Sequence, residues 1–467
     1  MTALPSVIRC SGCGYVAPQA DPYPFRCRNA GTGDVDHVLV RVLDPARLRF
    51  PADDDPDPFI RYRTLMHSYH LGVAAGLDDG EYTEIVAAVE RSVAAVDGRG
   101  FQVTPFGRDE LLSARLGFTA AGGVWVKDET ANVSGSHKGR HLMGLLIHLE
   151  VAERLGLTAP PLPSLAIASC GNAALAAAVL ARAGGRKLEV FIPADADAAV
   201  AGRLKALGSH VVECPREPGT TGDPCYLRLN QAVASGAVPF TCQGSENGLI
   251  IEGGETLAYE IVSALAASAA EDREGHGSRG LNHVVVQVGG GALASACAQG
   301  FREAAGFGAI GREPALHTVQ TSSAHPLERA YARVRRDLPA APADADVERA
   351  LAAAAQHRSA YMWPWETEPK SIATGILDDE TYDWRAVVAA MLRTGGRPVV
   401  VTEQRLAEAN RLAAESGSHA DPTGSAGLAG LLDLRSAGVI GPDERVAVLF
   451  TGVRRTHDRS GGTFVLP

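Results

Sequence analysis

The sequence predicts an α/β fold carried by a mainly parallel sheet. Three observations lead there. From about residue 104, short apolar runs alternate with amphipathic ones. "SLAIAS" precedes "NAALAAAVLARAG", "LEVFIP" precedes "AAVAGRLKALG", and "HVVVQVG" precedes "GGALASACAQGFREA". A short apolar run followed by helical periodicity is the pattern of strand–helix crossovers, which lay neighbouring strands parallel. With 467 residues, 46% hydrophobic and 21% charged, the chain has ordinary globular composition and apolar material for more than one core.

Taken in order, residues 1 to 45 come first and carry "CSGCG" and "FRCRN". Cys10 and Cys13 form a C-x-x-C knuckle, with Cys27 beyond it. Thiolates at this spacing suit tetrahedral zinc, and His37 in "DVDHVL" is the nearest further donor. A degenerate ribbon without metal has the same spacing. Residues 46 to 103 open on the acidic, proline-rich "PADDDPDPF". They continue as a helical extension in which Ile85, Val86, Val89, Val93 and Val96 recur at helical spacing. Residues 104 to 467 hold the strand–helix alternation and form the core of the protein. Within it, "SAAEDREGHGSRG" reads as a polar loop and "RRDLPAAPADADVERALAAA" as an insertion or linker.

Composition removes several functions. A formal net charge of -10 argues against nucleic acid or an anionic membrane surface as the main partner. The most apolar stretch, "LAIASCGNAALAAAVLARAG", is too interrupted to span a bilayer, and no basic-then-apolar leader opens the chain. Eight scattered cysteines suit a reducing cytoplasm.

Four stretches carry chemistry. In "SGSHKGR", Lys138 follows Ser134, Gly135 and Ser136 and precedes an apolar helical run. A loop-to-helix junction disfavours an ammonium ion through desolvation and the partly positive helix start, as a nucleophilic lysine requires. A surface lysine in a turn fits the same residues. In "QVGGGALASACAQGF" a β-branched run ends in Gly289, Gly290 and Gly291. Side-chain-free residues before a helix let N–H groups converge on a phosphate monoester; a plain tight turn is the alternative. In "IASCGNAALAAA" a strand ends in Ser169, Cys170, Gly171 and Asn172, which either cap the helix or face a carboxylate. "VAVLFTGVRR" ends a late strand at Thr451.

Together these stretches resemble the fold-type-II pyridoxal phosphate enzymes, and within them the threonine synthase and cysteate synthase branch. "SGSHK" matches the Ser/Thr-Gly-Ser-x-Lys stretch of that family. "SCGN" matches its asparagine loop, "EGGETLAYEI" a Glu-Gly-x-x-Thr segment, "GGGAL" its glycine loop and "FTG" its late Thr-Gly. "KSIATGI" and "DPTGSAGLAGL" are further family-like segments. The likeness spans about residues 104 to 455. It implies two α/β lobes with mainly parallel twisted sheets, the smaller mobile one at about 139–245, behind a Cys-rich ribbon.

The resemblance also implies roles. Lys138 would carry the internal aldimine of pyridoxal 5'-phosphate, and Asn172 would bond the ring hydroxyl. Gly289, Gly290, Gly291, Ala292 and Leu293 would hold the phosphate. Ser136, Ser169, Cys170 and Gly171 would meet the substrate carboxylate, and Thr451 would face the ring nitrogen. The implied reaction is β- or γ-elimination or replacement on an amino acid with a good leaving group, threonine synthase-like. Cysteine or cysteate synthesis, serine or threonine deamination, and a catalytically silent binding protein are the rivals. A small amino-acid substrate and a homodimer are the implied partners. Two departures touch the substrate end. His137-Lys138-Gly139-Arg140 stands where the branch has Phe-Lys-Asp-Arg, and "MWPWETEPKSIATGILDDETYDW" is unfamiliar. The run Asp378, Asp379, Glu380 reads as a solvated turn, and Trp363 and Trp365 as packing or a pocket wall.

Overall fold

The computed structural model describes residues 4–216, 222–271, 280–340 and 342–455. The chain gathers into two compact units. One comprises Met1–Asn29, His37–Val103 and Asn132–Thr256, and the other Ala30–Asp36, Thr104–Ala131 and Leu257–Pro467. The strand–helix alternation is realised in both, and each unit is built separately below.

The first unit contains a four-stranded sheet in the order His210–Cys214, Leu188–Pro193, Leu165–Ala168, Val238–Pro239, with every pairing parallel. Leu165–Ala168 is apolar throughout because helices cover both faces of such a sheet. The ribbon is a two-stranded antiparallel sheet, Ser6–Cys10 on Leu39–Leu43, in which Cys10 pairs with Leu39. The extension supplies the helix Asp79–Asp97, which buries Tyr82, Val86, Val89 and Val93 at helical spacing. Its start is set by a capping box between Asp78 and Glu81, and its end by Gly98 in the left-handed conformation.

A close approach in this unit explains the "EGGET" stretch. The helix Lys138–Arg154 passes the start of the helix Ile250–Glu271 at Gly144 and Gly253. A Cβ on Gly253 would lie 2.1 Å from the Arg140 carbonyl oxygen, and one on Gly144 would lie 2.9 Å from the Gly253 Cα. Around this crossing, buried Arg41 from the ribbon pairs with Glu255 and lies 3.3 Å from Glu252. Glu252 also accepts the His67 backbone N–H at 2.6 Å. The two acidic residues of this stretch thus anchor the ribbon, a role that local sequence did not suggest.

The second unit holds a six-stranded sheet in the order Pro398–Val401, Ala315–Thr321, His283–Gln287, Arg445–Phe450, Gly123–Asp128, Phe106–Asp109. Only the last pair is antiparallel. Val124, Val285, Val319, Val446 and Val448 from its strands, with Leu428 and Leu431 from the helix Ala426–Ser436, form one buried cluster. Parallel pairing of His283–Gln287 with Arg445–Phe450 brings the C-terminal ends of both strands to one sheet edge. No helix among the described residues is long and apolar enough to cross a membrane.

Candidate active site

In the first unit, Lys138 opens the helix Lys138–Arg154, whose N-cap His137 makes no side-chain capping bond. The approach to it is strained. Ser134 has φ 58°, the one non-glycine residue with positive φ among those described, and Gly135 follows at 69°. Backbone held in this region persists only where surrounding structure enforces it. Here the Ser134 N–H donates to Asp97 at 3.0 Å. Ser136 is fully buried, and its Oγ has no hydrogen-bond partner. Gly139 leaves room for the Phe101 ring, which a Cβ would meet at 3.0 Å. The departure at this position is therefore a packing solution.

Two buried or half-buried lysines show what is particular to Lys138. Lys127 is fully buried, ion-paired with Glu260 and bonded to the Thr104 carbonyl at 2.6 Å. Lys138 is half-buried and has no ion-pair or hydrogen-bond partner among the described residues.

In the same unit the strand Leu165–Ala168 runs through Ser169, Cys170 and Gly171 into the helix Asn172–Ala183. Neither Ser169 nor Asn172 caps that helix: its N-cap is Gly171, with no side-chain bond. Cys170 is exposed at the tip. The first-turn N–H groups of such a helix have no intrahelical acceptor and face outward as donors.

In the second unit the glycine loop behaves alike. Gly291, at φ +100°, is the N-cap of the helix Ala292–Gly306 and supplies no side-chain cap. Ala292 and Leu293 are buried in its first turn. The loop is gripped from its outer side by the segment around residues 376–383. Thr381 Oγ1 donates to the Gly289 carbonyl at 3.0 Å, and the Asp383 N–H to the Gly290 carbonyl at 3.1 Å. This segment thus engages the carbonyls of both Gly289 and Gly290. A Cβ on Gly289 would lie 2.1 Å from the Asp378 carboxylate, and one on Gly290 would lie 2.9 Å from the Tyr382 ring.

Thr451 is buried at the end of the strand Arg445–Phe450. Gln287 holds it there. The Gln287 amide nitrogen lies 2.6 Å from Thr451 Oγ1, 2.9 Å from the Gly424 carbonyl and 3.3 Å from the Leu449 carbonyl. Two carbonyl acceptors on one side fix which end of the amide is nitrogen. Sequence reasoning passed over Gln287. Its one signal was a polar residue directly after the apolar run Val284–Val286.

The acidic run is a correction. Asp378, Asp379 and Glu380 are half-buried, and Glu380 pairs with Arg358. Trp363 packs beneath Arg329, whose guanidinium carbon lies 3.6 Å from its ring centroid. Cys214, Cys225, Cys242 and Cys297 are buried core residues.

At the ribbon, Cys10, Cys13, Cys27 and His37 converge, with one ligand atom from each lying within 4.8 Å of the others. Cys13 Sγ and Cys27 Sγ are 3.6 Å apart, as are Cys10 Sγ and His37 Nδ1. Tetrahedral bonds of about 2.3 Å to zinc place sulfurs roughly 3.7 Å apart, so the donor set fits. Burial opposes ionisation of the Cys13 thiol. Bonds from the Tyr15 backbone, Asn29 and the neighbouring thiols outweigh it and draw the thiol down to about 6.

A parallel α/β fold with an unpaired lysine at one uncapped helix start and glycine-rich turns at others is the build of an enzyme that holds a small anionic cofactor. The chain belongs to the pyridoxal-phosphate dependent enzymes, a family that matches residues 99–452. A threonine synthase of Methanocaldococcus jannaschii is 26% identical over 352 residues, 75% of this chain and 74% of the relative. One from Methanosarcina acetivorans is 25% identical over 365 residues, 78% of this chain and 76% of the relative. Among solved structures, maize serine racemase superposes with a TM-score of 0.55 at 17% identity, covering 80% of this chain and 94% of that one. Threonine deaminase isoform 2 of Solanum lycopersicum gives 0.53 at 17%, covering 83% and 93%. These structures share the fold. The chain is a pyridoxal-phosphate dependent enzyme of the group that includes threonine synthases.

Proposed function

We propose that the enzyme catalyses β- or γ-elimination or replacement on an amino acid bearing a good leaving group, a threonine synthase-like reaction, with Lys138 as its working amine. The observation that carries this reading is the state of Lys138: unpaired among the described residues, half-buried and at an uncapped helix start, while Lys127 is locked in an ion pair. Pyridoxal phosphate, when bound, supplies the electron sink that makes the substrate α-hydrogen acidic.

The chain's own residues do the rest. Lys138 would hold the cofactor covalently, and its free amine would take the proton from the substrate α-carbon. The N–H groups at Gly289, Gly290, Gly291, Ala292 and Leu293 hold the phosphate, helped by the field of the helix start. Asn172 would bond the ring hydroxyl. Ser136, with its unpartnered buried hydroxyl, and the loop Ser169, Cys170 and Gly171 offer donors to the substrate carboxylate. Thr451 would present a neutral hydroxyl to the ring nitrogen. Because Gln287 donates to its oxygen, the Thr451 proton is directed elsewhere. Opposite a neutral partner that nitrogen would stay uncharged and the cofactor would supply a weaker electron sink, which would favour loss of a side-chain leaving group. That favours elimination or replacement over transamination.

The ribbon is proposed to hold one structural zinc through Cys10, Cys13, Cys27 and His37. Within the same chemistry, deamination of serine or threonine is the nearest rival, and a panel of O-substituted amino acids separates the two by product. The central assignment is tested by borohydride reduction and peptide mapping. The cofactor should be found on Lys138, and Lys138→Ala should lose both the label and the visible absorbance of bound cofactor. A label on another lysine overturns the assignment.

A further inference from the structure

The first unit contains a cleft of about 830 Å³ that shares no residue with the Lys138 or Asn172 loops. Its walls come from the loop Arg47–Asp53, the turn Arg61–Thr64 and the helix His67–Ala74, with Leu4 and Pro5 also lining it. Its volume lies within the range of small-molecule sites, about 300–1,000 Å³.

The lining has two parts. Leu48, Phe50, Pro51, Tyr69 and Val73 give it apolar and aromatic walls. Arg47, Arg49, Arg61 and Arg63 give it four positive charges, against one acidic residue, Asp53. This is a local reversal in a chain of net charge -10. The arginines differ in what they already hold. Arg63 pairs with both Asp53 and Asp79, so its charge is spent within the protein. Arg49 donates to the Leu48 carbonyl, and Arg61 lies over the Tyr62 ring. Neither Arg49 nor Arg61 has a carboxylate partner among the described residues. Arg61 Nε is buried and makes no hydrogen bond. His70 does not compete for the role. Both its nitrogens are engaged, with Ser6 Oγ and the Thr64 carbonyl, and burial draws it down to about 4, so it is neutral.

We infer that this cleft is a binding site for a small organic anion, a phosphate ester or carboxylate with an aromatic or aliphatic body. Arg49 and Arg61 take the acid group, and Phe50 and Val73 take the body. Arginine suits such an anion because its planar fork matches two oxygens at once. The site is independent of the amino-acid chemistry proposed above.

The test is a fluorescence titration of the full-length holoenzyme with 8-anilinonaphthalene-1-sulfonate, which joins an acid group to an aromatic body. Saturable binding of one molecule per chain is expected, weakening as salt is raised. Arg49→Glu reverses an exposed charge and should weaken it at least about tenfold. Val73→Trp fills the cleft from an exposed helix position and should weaken it similarly. Neither residue is buried, so both variants should keep the wild-type cofactor absorbance and melting temperature, which are recorded alongside. Inorganic phosphate at millimolar concentration should displace part of the probe from wild type. The inference is overturned if no saturable binding occurs, or if either substitution leaves the affinity unchanged.

Discussion

Replacing Gln287 by leucine tests the setting of Thr451 most directly. The side chain keeps nearly the same volume and loses an amide whose nitrogen serves three buried oxygens, those of Gly424, Leu449 and Thr451. A net intramolecular hydrogen bond contributes about 1 kcal/mol, and a buried carbonyl left without a donor costs roughly 1–3 kcal/mol. The amide's two protons can fully serve two of the three oxygens, so the expected loss is about 2–4 kcal/mol. For a domain of roughly 200 residues, each kcal/mol is worth about 2–4 °C, which puts the fall in melting temperature at roughly 5–15 °C. A second effect separates positioning from stability. Without Gln287, the Thr451 hydroxyl loses the donor that directs its own proton. Below the melting transition, turnover should therefore drop more than cofactor content. Differential scanning calorimetry, cofactor absorbance and steady-state kinetics on the same preparation measure all three. A Gln287→Leu enzyme with wild-type melting temperature and wild-type turnover would refute the reasoning.

Other outcomes follow from the first unit. Gly253→Ala sets a methyl 2.1 Å from the Arg140 carbonyl oxygen, in the turn after Lys138. It should cost about 1–3 kcal/mol and lower the cofactor-to-protein ratio; unchanged melting and full cofactor occupancy would count against the close approach. Burial, then the neighbouring Asp55, pushes Asp57 up to about 7. Burial, then Asp57, pushes Glu90 up to about 8. Both carboxyls keep in the fold a proton that the unfolded chain loses near pH 4, so their stabilisation is lost as pH rises through 7 to 8. Buried neutral His67, His70 and His148 act in the opposite sense only below about pH 6.5. Stability should thus fall by about 2 kcal/mol between pH 6.5 and 8, and Asp57→Asn with Glu90→Gln should flatten that slope; an equally steep double variant sinks the assignment. Protein from zinc-replete cells should contain about one zinc per chain, which Cys27→Ser abolishes. Metal analysis that finds no zinc in the wild type ends the ribbon proposal.

Much was legible without coordinates, because it depended on neighbours in the chain. Alternating strand and helix periods specify an α/β fold, since each period decides locally which side of an element is apolar. Glycine after a strand and before a helix marks a helix start without a side-chain cap, which is why the starts at Gly171 and Gly291 could be recognised. The C-x-x-C knuckle and its partners were also readable, because metal ligands of this kind are recognised by type and spacing.

What the sequence could not decide were relations between residues far apart in the chain. Gln287 and Thr451 are separated by 164 positions, and only parallel pairing of their strands brings an amide to that hydroxyl. Arg41 reaches Glu255 across 214 positions, which turned an apparent catalytic-family stretch into the anchor of the ribbon. The acidic run at 378–380 looked solvated because its partners, Arg358 and the glycine loop, are not adjacent in sequence. The distinction between Lys127 and Lys138 was equally hidden. Both are lysines near a strand or helix end, and only the tertiary structure supplies Glu260 to one and leaves the other without an acid among the described residues. Local periodicity determines what each segment becomes; the charge state, partners and access of a side chain depend on the atoms that folding packs around it, and those come from anywhere in the chain.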